Sequence, residues 1–172
     1  IRHLLTHTSG LPPYAPVAEL QKKYGSNSPD SLISYIASWR RDFEPGTDFQ
    51  YSCLNYITMQ HIVEKVSGMS LREFARRNVF EPLGMNHTDY IPCIEDKKGN
   101  YHTISLPVWT KDYSWEELIA PTEKQKTGEI LRGAVHDPLA RVINSGISGN
   151  AGVFSNADDI ALLCAALING GE

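Results

Sequence analysis

Tyr51 is the side chain whose surroundings in the sequence most directly suggest chemistry. It opens the run Tyr51-Ser52-Cys53, which follows a turn at residues 44–47 and precedes an apolar helical pattern that ends at Gly68. A tyrosine on a tight turn at the start of a helix can act as a general base if a nearby cation lowers its pKa from about 10 towards the working pH. The sequence offers no convincing cation or nucleophile to complete such a site.

Two other groups of residues are candidates for catalysis or metal binding. Residues 146–149 (GISG) come close to a nucleophile elbow around Ser148 but lack its outer glycine spacing, so a glycine-rich turn lining a cleft is the better interpretation. His3 and His7 are spaced to share a helix face as metal ligands. No glutamate follows His3 to make the zinc-protease pattern, so we do not predict a metal site.

The second half of the chain contributes further candidates for a binding site. The segment 149–155 (GNAGVFS) is rich in small residues, which permit close approach of a ligand and equally permit tight turns. Within it, Asn150 and Gly152 are predicted to contact substrate. The neighbours His136 and Asp137 allow two interpretations: a pair that orients a group at the cleft, or a turn that Asp137 caps before a proline.

Composition limits the classes of protein that the chain can belong to. Its 172 residues are 41% hydrophobic and 21% charged, which is enough to bury a core. A net charge of −4 with well-mixed signs disfavours nucleic acid as a partner. No apolar run approaches the roughly 18 residues that a membrane span requires. Three widely spaced cysteines make neither a disulfide framework nor a metal cluster.

Helical patterns must position these candidates. The run Ser28-Pro29-Asp30 predicts a helix start, with an apolar face that continues to Trp39. A second helix is predicted over Leu54–Ser67, capped by Gly68, with four residues facing inward: Ile57, Ile62, Val63 and Val66.

Three further elements follow the second helix. Ser70 and Glu73 form a capping box for a short helix through Phe74, which residues 82–84 (PLG) interrupt. Residues 96–100 predict a turn between extended pieces, and 104–109 predict a strand. Residues 155–158 predict the cap of a last helix whose apolar residues are Ile160, Leu163, Ala166 and Leu167.

A series of short motifs, taken in order, resembles the serine β-lactamase and penicillin-binding-protein superfamily, in its class C-like branch of D-Ala-D-Ala peptidases and esterases. Each motif alone is weak, but together they cover nearly the whole chain. The matching stretches are residues 2–12 (RHLLTHTSGLP), 45–53 (from PGT to YSC), 62–68 (IVEKVSG), 80–85 (FEPLGM), 119–123 (IAPTE), 133–137 (GAVHD) and 149–155 (GNAGVFS).

The resemblance implies roles for residues both inside and outside this chain. In the family, a Ser-x-x-Lys motif supplies the nucleophile and a lysine, and a Tyr-x-Asn motif supplies a proton-shuttling tyrosine and a substrate-holding amide. A third motif, Lys-Thr-Gly or a His-x-Gly variant, lies on an edge strand. Tyr51 is then the shuttle tyrosine, with the first motif expected before Ile1 and the third after Glu172. The run 126–128 (KTG) spells the third motif, but it is interpreted as a solvated loop because it precedes the later family segments.

Cys53 departs from the family pattern, which has Asn or Asp at this position. A thiol is a poorer hydrogen-bonding group than an amide, so its part in substrate binding is in question. Asn55 is an alternative amide, but on a helix it is expected to face elsewhere. The substitution favours esterase-like or peptidase-like activity over β-lactam hydrolysis.

The resemblance implies a fold that is mostly α with minor β, and residues 1–172 are predicted to be the central, mainly helical segment of a β-lactamase-related domain. The implied substrate is a small molecule or a peptidoglycan peptide, handled outside the cytoplasm without a metal or organic cofactor. The fragment alone is expected to be inactive. The alternative is a catalytically dead relative that binds peptidoglycan or a protein partner.

Overall fold

Helices make up most of the regular structure in the computed structural model, which describes residues 1–97, 99–105, 107, 115–126 and 128–171. Helical residues are 42% of the described residues and strand residues 12%, so the prediction of a mostly α structure with minor β is confirmed. The α-helices are α1 (Arg2–Leu5), α2 (Val17–Tyr24), α3 (Pro29–Ser38), α4 (Cys53–Ser67), α5 (Leu71–Ala75), α6 (Trp115–Leu118) and α7 (Ala157–Ile168).

An aliphatic core joins α2, α3 and α4 to a π-helical turn, Leu139–Ile143, from the second half of the chain. Burying each of these side chains contributes about 1.5–3 kcal/mol, so the cluster fixes the orientation of α4 against its neighbours. Its members are Leu11, Ala15, Leu20, Leu32, Ile36, Leu54, Ile57, Leu139, Val142 and Ile143.

The longest helix, α4, begins one residue before its predicted start and ends at the predicted residue. Gly68 follows it with a φ of 70°, the left-handed conformation expected of a C-terminal glycine. Ile57 is buried as predicted. The inward orientation of Val66 is wrong, since its side chain is 84% exposed in the last turn of the helix.

The capping box that begins α5 is only half formed. The Ser70 hydroxyl accepts a hydrogen bond from the Glu73 amide at 3.2 Å, as predicted. The Glu73 carboxylate instead pairs with Arg77 at 2.7 Å, one turn further on. The helix also extends past its predicted end at Phe74, because a π-helical turn, Arg76–Phe80, continues it.

Within the described residues, three antiparallel strand pairs connect the helical parts. The first joins β1 (Asp89–Tyr90) to β6 (Val153–Phe154), and the second joins β2 (Cys93–Glu95) to β3 (Tyr101–Thr103) across the predicted turn. The third joins β4 (Pro121–Lys124) to β5 (Ile130–Arg132).

The strand predicted over residues 104–109 is wrong at its start. Residues 104 and 105 form a bend after β3, since the ladder with β2 ends at the pair Cys93 and Thr103. Of the remaining positions, 106, 108 and 109 lie outside the described residues.

The final helix, α7, begins at a side-chain cap, because Asn156 Oδ1 accepts a hydrogen bond from the Asp159 amide at 2.8 Å. Of its apolar residues, Ala166 is buried, whereas Ile160 and Leu167 are 44% and 70% exposed. Neither α7 nor any other helix in the described part of the chain is long and apolar enough to cross a bilayer.

Candidate active site

The turn before α4 is held by backbone contacts with the loop that follows α1. The Cys53 amide donates to the Pro13 carbonyl at 2.9 Å, and the fully buried Ser52 hydroxyl donates to the Pro12 carbonyl at 2.6 Å. Tyr51, next to these anchored residues, remains 61% exposed. A fixed backbone with an exposed phenol is the arrangement that a side chain acting on a ligand requires.

Three of the four predicted site residues lie together at this turn. Side-chain hydrogen bonds with Asn150 and Tyr51 influence the pKa of the Cys53 thiol, so these three side chains are neighbours. The Asn150 side chain is oriented from the other side, since its Oδ1 accepts a hydrogen bond from the Ser148 hydroxyl at 2.7 Å. Residues almost 100 positions apart therefore form one polar cluster, which we call the Tyr51 cluster: Tyr51, Cys53 and Asn150.

Among the described residues, neighbouring groups and burial raise the pKa values of Tyr51 and Cys53, so both side chains stay protonated near neutral pH. The neighbouring Cys53 is the main cause of the raised pKa of Tyr51, and burial is the second. The negative charge of Asp137 raises this pKa further. Burial is the main cause that raises the pKa of Cys53, again with Asp137, although hydrogen bonds from Asn150 and Tyr51 oppose the shift. A base role for Tyr51 therefore requires a cation that these residues do not place beside it.

The neighbours His136 and Asp137, for which the sequence allowed two interpretations, contact different parts of the chain. Asp137 Oδ1 accepts the Ala140 amide at 2.9 Å, so the capping interpretation is right. Its Oδ2 accepts the Tyr14 hydroxyl at 3.3 Å. His136 is mostly exposed, and its Nδ1 lies 3.4 Å from a Glu123 carboxylate oxygen.

Tyr14 is a residue near the Tyr51 cluster that the sequence interpretation missed. Its hydroxyl bridges Asp137 and the Leu139 amide, which donates to it at 3.1 Å. Burial, and then the Asp137 charge, raise the pKa of the Tyr14 phenol. Its partners lie more than 120 positions away, so no local pattern signals this contact.

Gly152, the fourth predicted site residue, has a structural reason to be glycine. Its φ of 117° is rarely adopted by other residues, and an added Cβ would collide with the Gly146 carbonyl oxygen. It also lines a cavity of about 550 Å³. Apolar residues of β4, β6 and neighbouring loops form much of that cavity, with His87 and His136 among the polar lining residues.

The remaining candidates have structural roles. Asn55 is fully buried, and its Oδ1 accepts a hydrogen bond from the Ser9 hydroxyl. Ser148 is also buried, between Asn144 and Asn150, and does not form an elbow. His3 contacts the Thr8 hydroxyl at 3.0 Å. Among the described residues, no group of three His, Cys, Asp or Glu side chains could hold a metal.

The KTG run at 126–128 lies where a solvated loop was predicted. Lys126 and Gly128 are exposed in the turn that joins β4 to β5, closed by a hydrogen bond from the Gln125 amide to the Glu129 carbonyl at 2.7 Å. Thr127 is outside the described residues.

Solved structures with this arrangement of elements include penicillin-binding proteins and class C β-lactamases. An octameric penicillin-binding protein homologue from Pyrococcus abyssi superposes with a TM-score of 0.62 at 25% identity, over 99% of this chain and 35% of that one. A class C β-lactamase superposes with a TM-score of 0.59 at 19% identity, over 99% and 38% of the two chains, which shows a shared fold.

The chain belongs to the β-lactamase family, since the family model described as Beta-lactamase matches residues 1–172. It is 34% identical over 172 residues to an N-acetylmuramyl-L-alanine amidase of Bacillus subtilis. It is 31% identical over 174 residues to a putative D-alanyl-D-alanine carboxypeptidase of Escherichia coli. The matches cover 98% and 99% of this chain but 38% and 39% of those relatives, so the chain spans less than half of their length.

Proposed function

We propose that residues 1–172 are the central, mainly helical segment of a serine hydrolase that cleaves an ester or amide through an acyl-serine intermediate. The observation that supports this most is the Tyr51 cluster at the start of α4, in a chain that matches the family along its whole length. The nucleophilic serine and its lysine lie before Ile1, and the edge-strand motif follows Glu172. The name of the Escherichia coli relative, a putative D-alanyl-D-alanine carboxypeptidase, favours a D-Ala-containing cell-wall peptide as the substrate.

In this mechanism Tyr51 transfers a proton while the serine oxygen attacks the substrate carbonyl carbon. The phenol oxygen takes the serine proton and then passes it to the leaving nitrogen or oxygen, while backbone amides stabilise the oxyanion. The lysine charge lowers the pKa of Tyr51 and so opposes the effects of Cys53 and Asp137. Asn150 and the Cys53 thiol contact the substrate amide, and Gly152 admits part of the substrate to the adjacent cavity.

The chemistry of this site needs only side chains, because a serine, a lysine and a tyrosine supply the nucleophile and both proton transfers. The proposal therefore includes no metal or organic cofactor. It places the protein outside the cytoplasm, in the periplasm or secreted, because the proposed substrate is a cell-wall peptide.

Replacement of Tyr51 by phenylalanine tests the proposal. In the complete protein, Tyr51→Phe should lower the rate of serine acylation by about 100-fold or more, because the proton shuttle is lost. Acylation is measured by stopped-flow or quenched reaction with a chromogenic D-Ala ester. Tyr24→Phe is the matched control, since Tyr24 is an exposed phenol on α2.

A Tyr51→Phe protein that acylates at nearly the rate of Tyr24→Phe would remove Tyr51 from the mechanism. A complete protein that lacks a Ser-x-x-Lys motif and does not acylate would instead favour a catalytically dead binding module. In that case, binding to isolated peptidoglycan sacculi becomes the activity to measure.

A further inference from the structure

His7 contacts the chain on both sides of Tyr51. Its Nδ1 lies 3.1 Å from the Ser52 amide nitrogen, and its carbonyl oxygen accepts the Gln50 amide at 2.9 Å. The two residues that flank Tyr51 are therefore both bonded to one histidine. Since Tyr51 is itself largely exposed, these contacts restrict its backbone more than contacts of its own ring do.

The hydrogen bonds determine which nitrogen of His7 carries the proton. The Ser52 amide can only donate, so Nδ1 must be the unprotonated acceptor, and the proton of the neutral ring lies on Nε2. Asn55 Nδ2 lies 3.1 Å from the same Nδ1. The Asn55 amide is oriented for this contact because its Oδ1 accepts from the Ser9 hydroxyl, which itself accepts the Leu11 amide.

The ring of His7 also packs against the phenol that it helps to position. The centroids of the His7 and Tyr51 rings are 4.5 Å apart, with an angle of 36° between their planes. Tyr56 lies 5.3 Å away on α4, and Phe49 meets the ring edge-on at 6.1 Å. The His7 ring therefore packs against three aromatic side chains at the start of α4 and the turn before it.

The backbone of His7 takes a conformation that brings the ring to this place. Its φ is 56°, in the left-handed region that few residues other than glycine occupy and in which histidine and asparagine are enriched. The chain reverses there after α1, which allows the side chain to reach the start of α4. A less favourable conformation at a site that contacts a candidate catalytic group is consistent with a functional constraint.

We propose that His7 is a positioning residue for Tyr51, acting as a neutral acceptor at Nδ1 and as a packing surface for the phenol. This inference rests on the proposed function for its effect on acylation. Its structural part, the tautomer and the Ser52 contact, is independent of any activity.

The structural part is tested by NMR on the complete protein. Long-range nitrogen–proton spectra should show that His7 carries a proton on Nε2 and none on Nδ1. In His7→Phe, which keeps a ring but loses the acceptor, the Ser52 amide should exchange with solvent about tenfold faster. In His7→Asn, which keeps an acceptor and tolerates positive φ, exchange should stay within about twofold of the unchanged chain.

His102→Phe is the control for these variants, since His102 is an exposed histidine paired with Asp96, away from α4. A proton on Nδ1 of His7, or Ser52 exchange that is equally fast in His7→Phe and His102→Phe, would overturn the inference. Both results are obtained without catalysis, so they remain decisive if the complete protein does not acylate.

The catalytic part is tested by a double-mutant cycle in the complete protein. His7→Phe should lower kcat by about tenfold with KM unchanged, because the ring positions Tyr51 and does not touch substrate. In the Tyr51→Phe background the same change should lower kcat by no more than about twofold, because the group being positioned is already gone. An equal fall in both backgrounds would show a general folding role and overturn the assignment.

Discussion

At the scale of single residues, Cys53 is the most informative departure from the family pattern. Its thiol has hydrogen-bonding neighbours in Tyr51 and Asn150. Both contacts lower its pKa, but burial and the Asp137 charge outweigh them, so the group stays a thiol near neutral pH. We therefore interpret Cys53 as a weak hydrogen-bonding substitute for an amide and not as a nucleophile.

Alkylation of the three free cysteines tests this interpretation of Cys53. A raised pKa leaves little thiolate at neutral pH, so iodoacetamide should modify Cys53 more slowly than the exposed Cys164, with a rate that still rises in alkaline solution. Cys93 is fully buried with a pKa of about 11 and should react only on unfolding. Peptide mass spectrometry after timed exposure measures all three rates.

The Asp137→Asn variant is the matched control, because it tests whether the charge of Asp137 raises the pKa of Cys53. Removing the negative charge stabilises the thiolate, so Cys53 should react faster at a given pH than in the unchanged chain. An Asp137→Asn chain whose Cys53 reacts at an unchanged rate, or a Cys53 that reacts as fast as Cys164, would contradict the assigned environment.

The contacts between residues that are distant in the sequence could not be predicted from the identities of single residues. Tyr51 stood out because a turn and a helix pattern surround it locally, and the order of motifs indicated Asn150. The pairs His7 with Ser52 and Tyr14 with Asp137 are separated by 45 and 123 positions. No periodicity connects residues so far apart, so only the folded chain reveals them.

At the scale of elements, the two ends of α4 and the cap of α7 followed the sequence closely, whereas the buried faces of these helices did not. Caps depend on a few adjacent residues, so Gly68 and Asn156 were predictable. The face that a helix buries depends on which elements pack against it. Val66 and Leu167 match the apolar spacing of α4 and α7, but the described residues leave both mostly exposed.

The cap of α7 provides a test at this scale. Asn156→Ala removes the acceptor for the Asp159 amide and should lower the free energy of unfolding by about 1 kcal/mol, measured by urea denaturation. Asn156→Gly, the matched control, should cost only a few tenths of a kcal/mol. Equal losses in the two variants would mean that the side-chain cap does not contribute.

Gly152 provides a second test, at the junction of the glycine-rich loop and β6. A Cβ there would collide with the Gly146 carbonyl oxygen, and the positive φ adds strain, so Gly152→Ala should lower stability by at least about 1 kcal/mol. Gly170→Ala is the control, because Gly170 also has a positive φ but open space around its Cβ. A smaller loss for Gly152→Ala than for Gly170→Ala would contradict the described loop.

At the scale of the whole molecule, the sequence predicted the fold class through the order of its motifs. Composition alone indicated only a globular chain. The strand pairs β1–β6 and β4–β5 were not predicted, because two- to four-residue strands carry too little alternation to be distinguished from loops. The chain spans 38% and 39% of the lengths of two curated relatives, and our account assigns the nucleophile to the part outside these 172 residues.

Covalent labelling with a fluorescent fluorophosphonate or penicillin tests that central claim most directly. The 172-residue chain should remain unlabelled, whereas the complete protein should label stoichiometrically at the serine of a Ser-x-x-Lys motif that precedes Ile1, located by peptide mass spectrometry. Stoichiometric labelling of the 172-residue chain itself would contradict the account, because the nucleophile would then lie within residues 1–172.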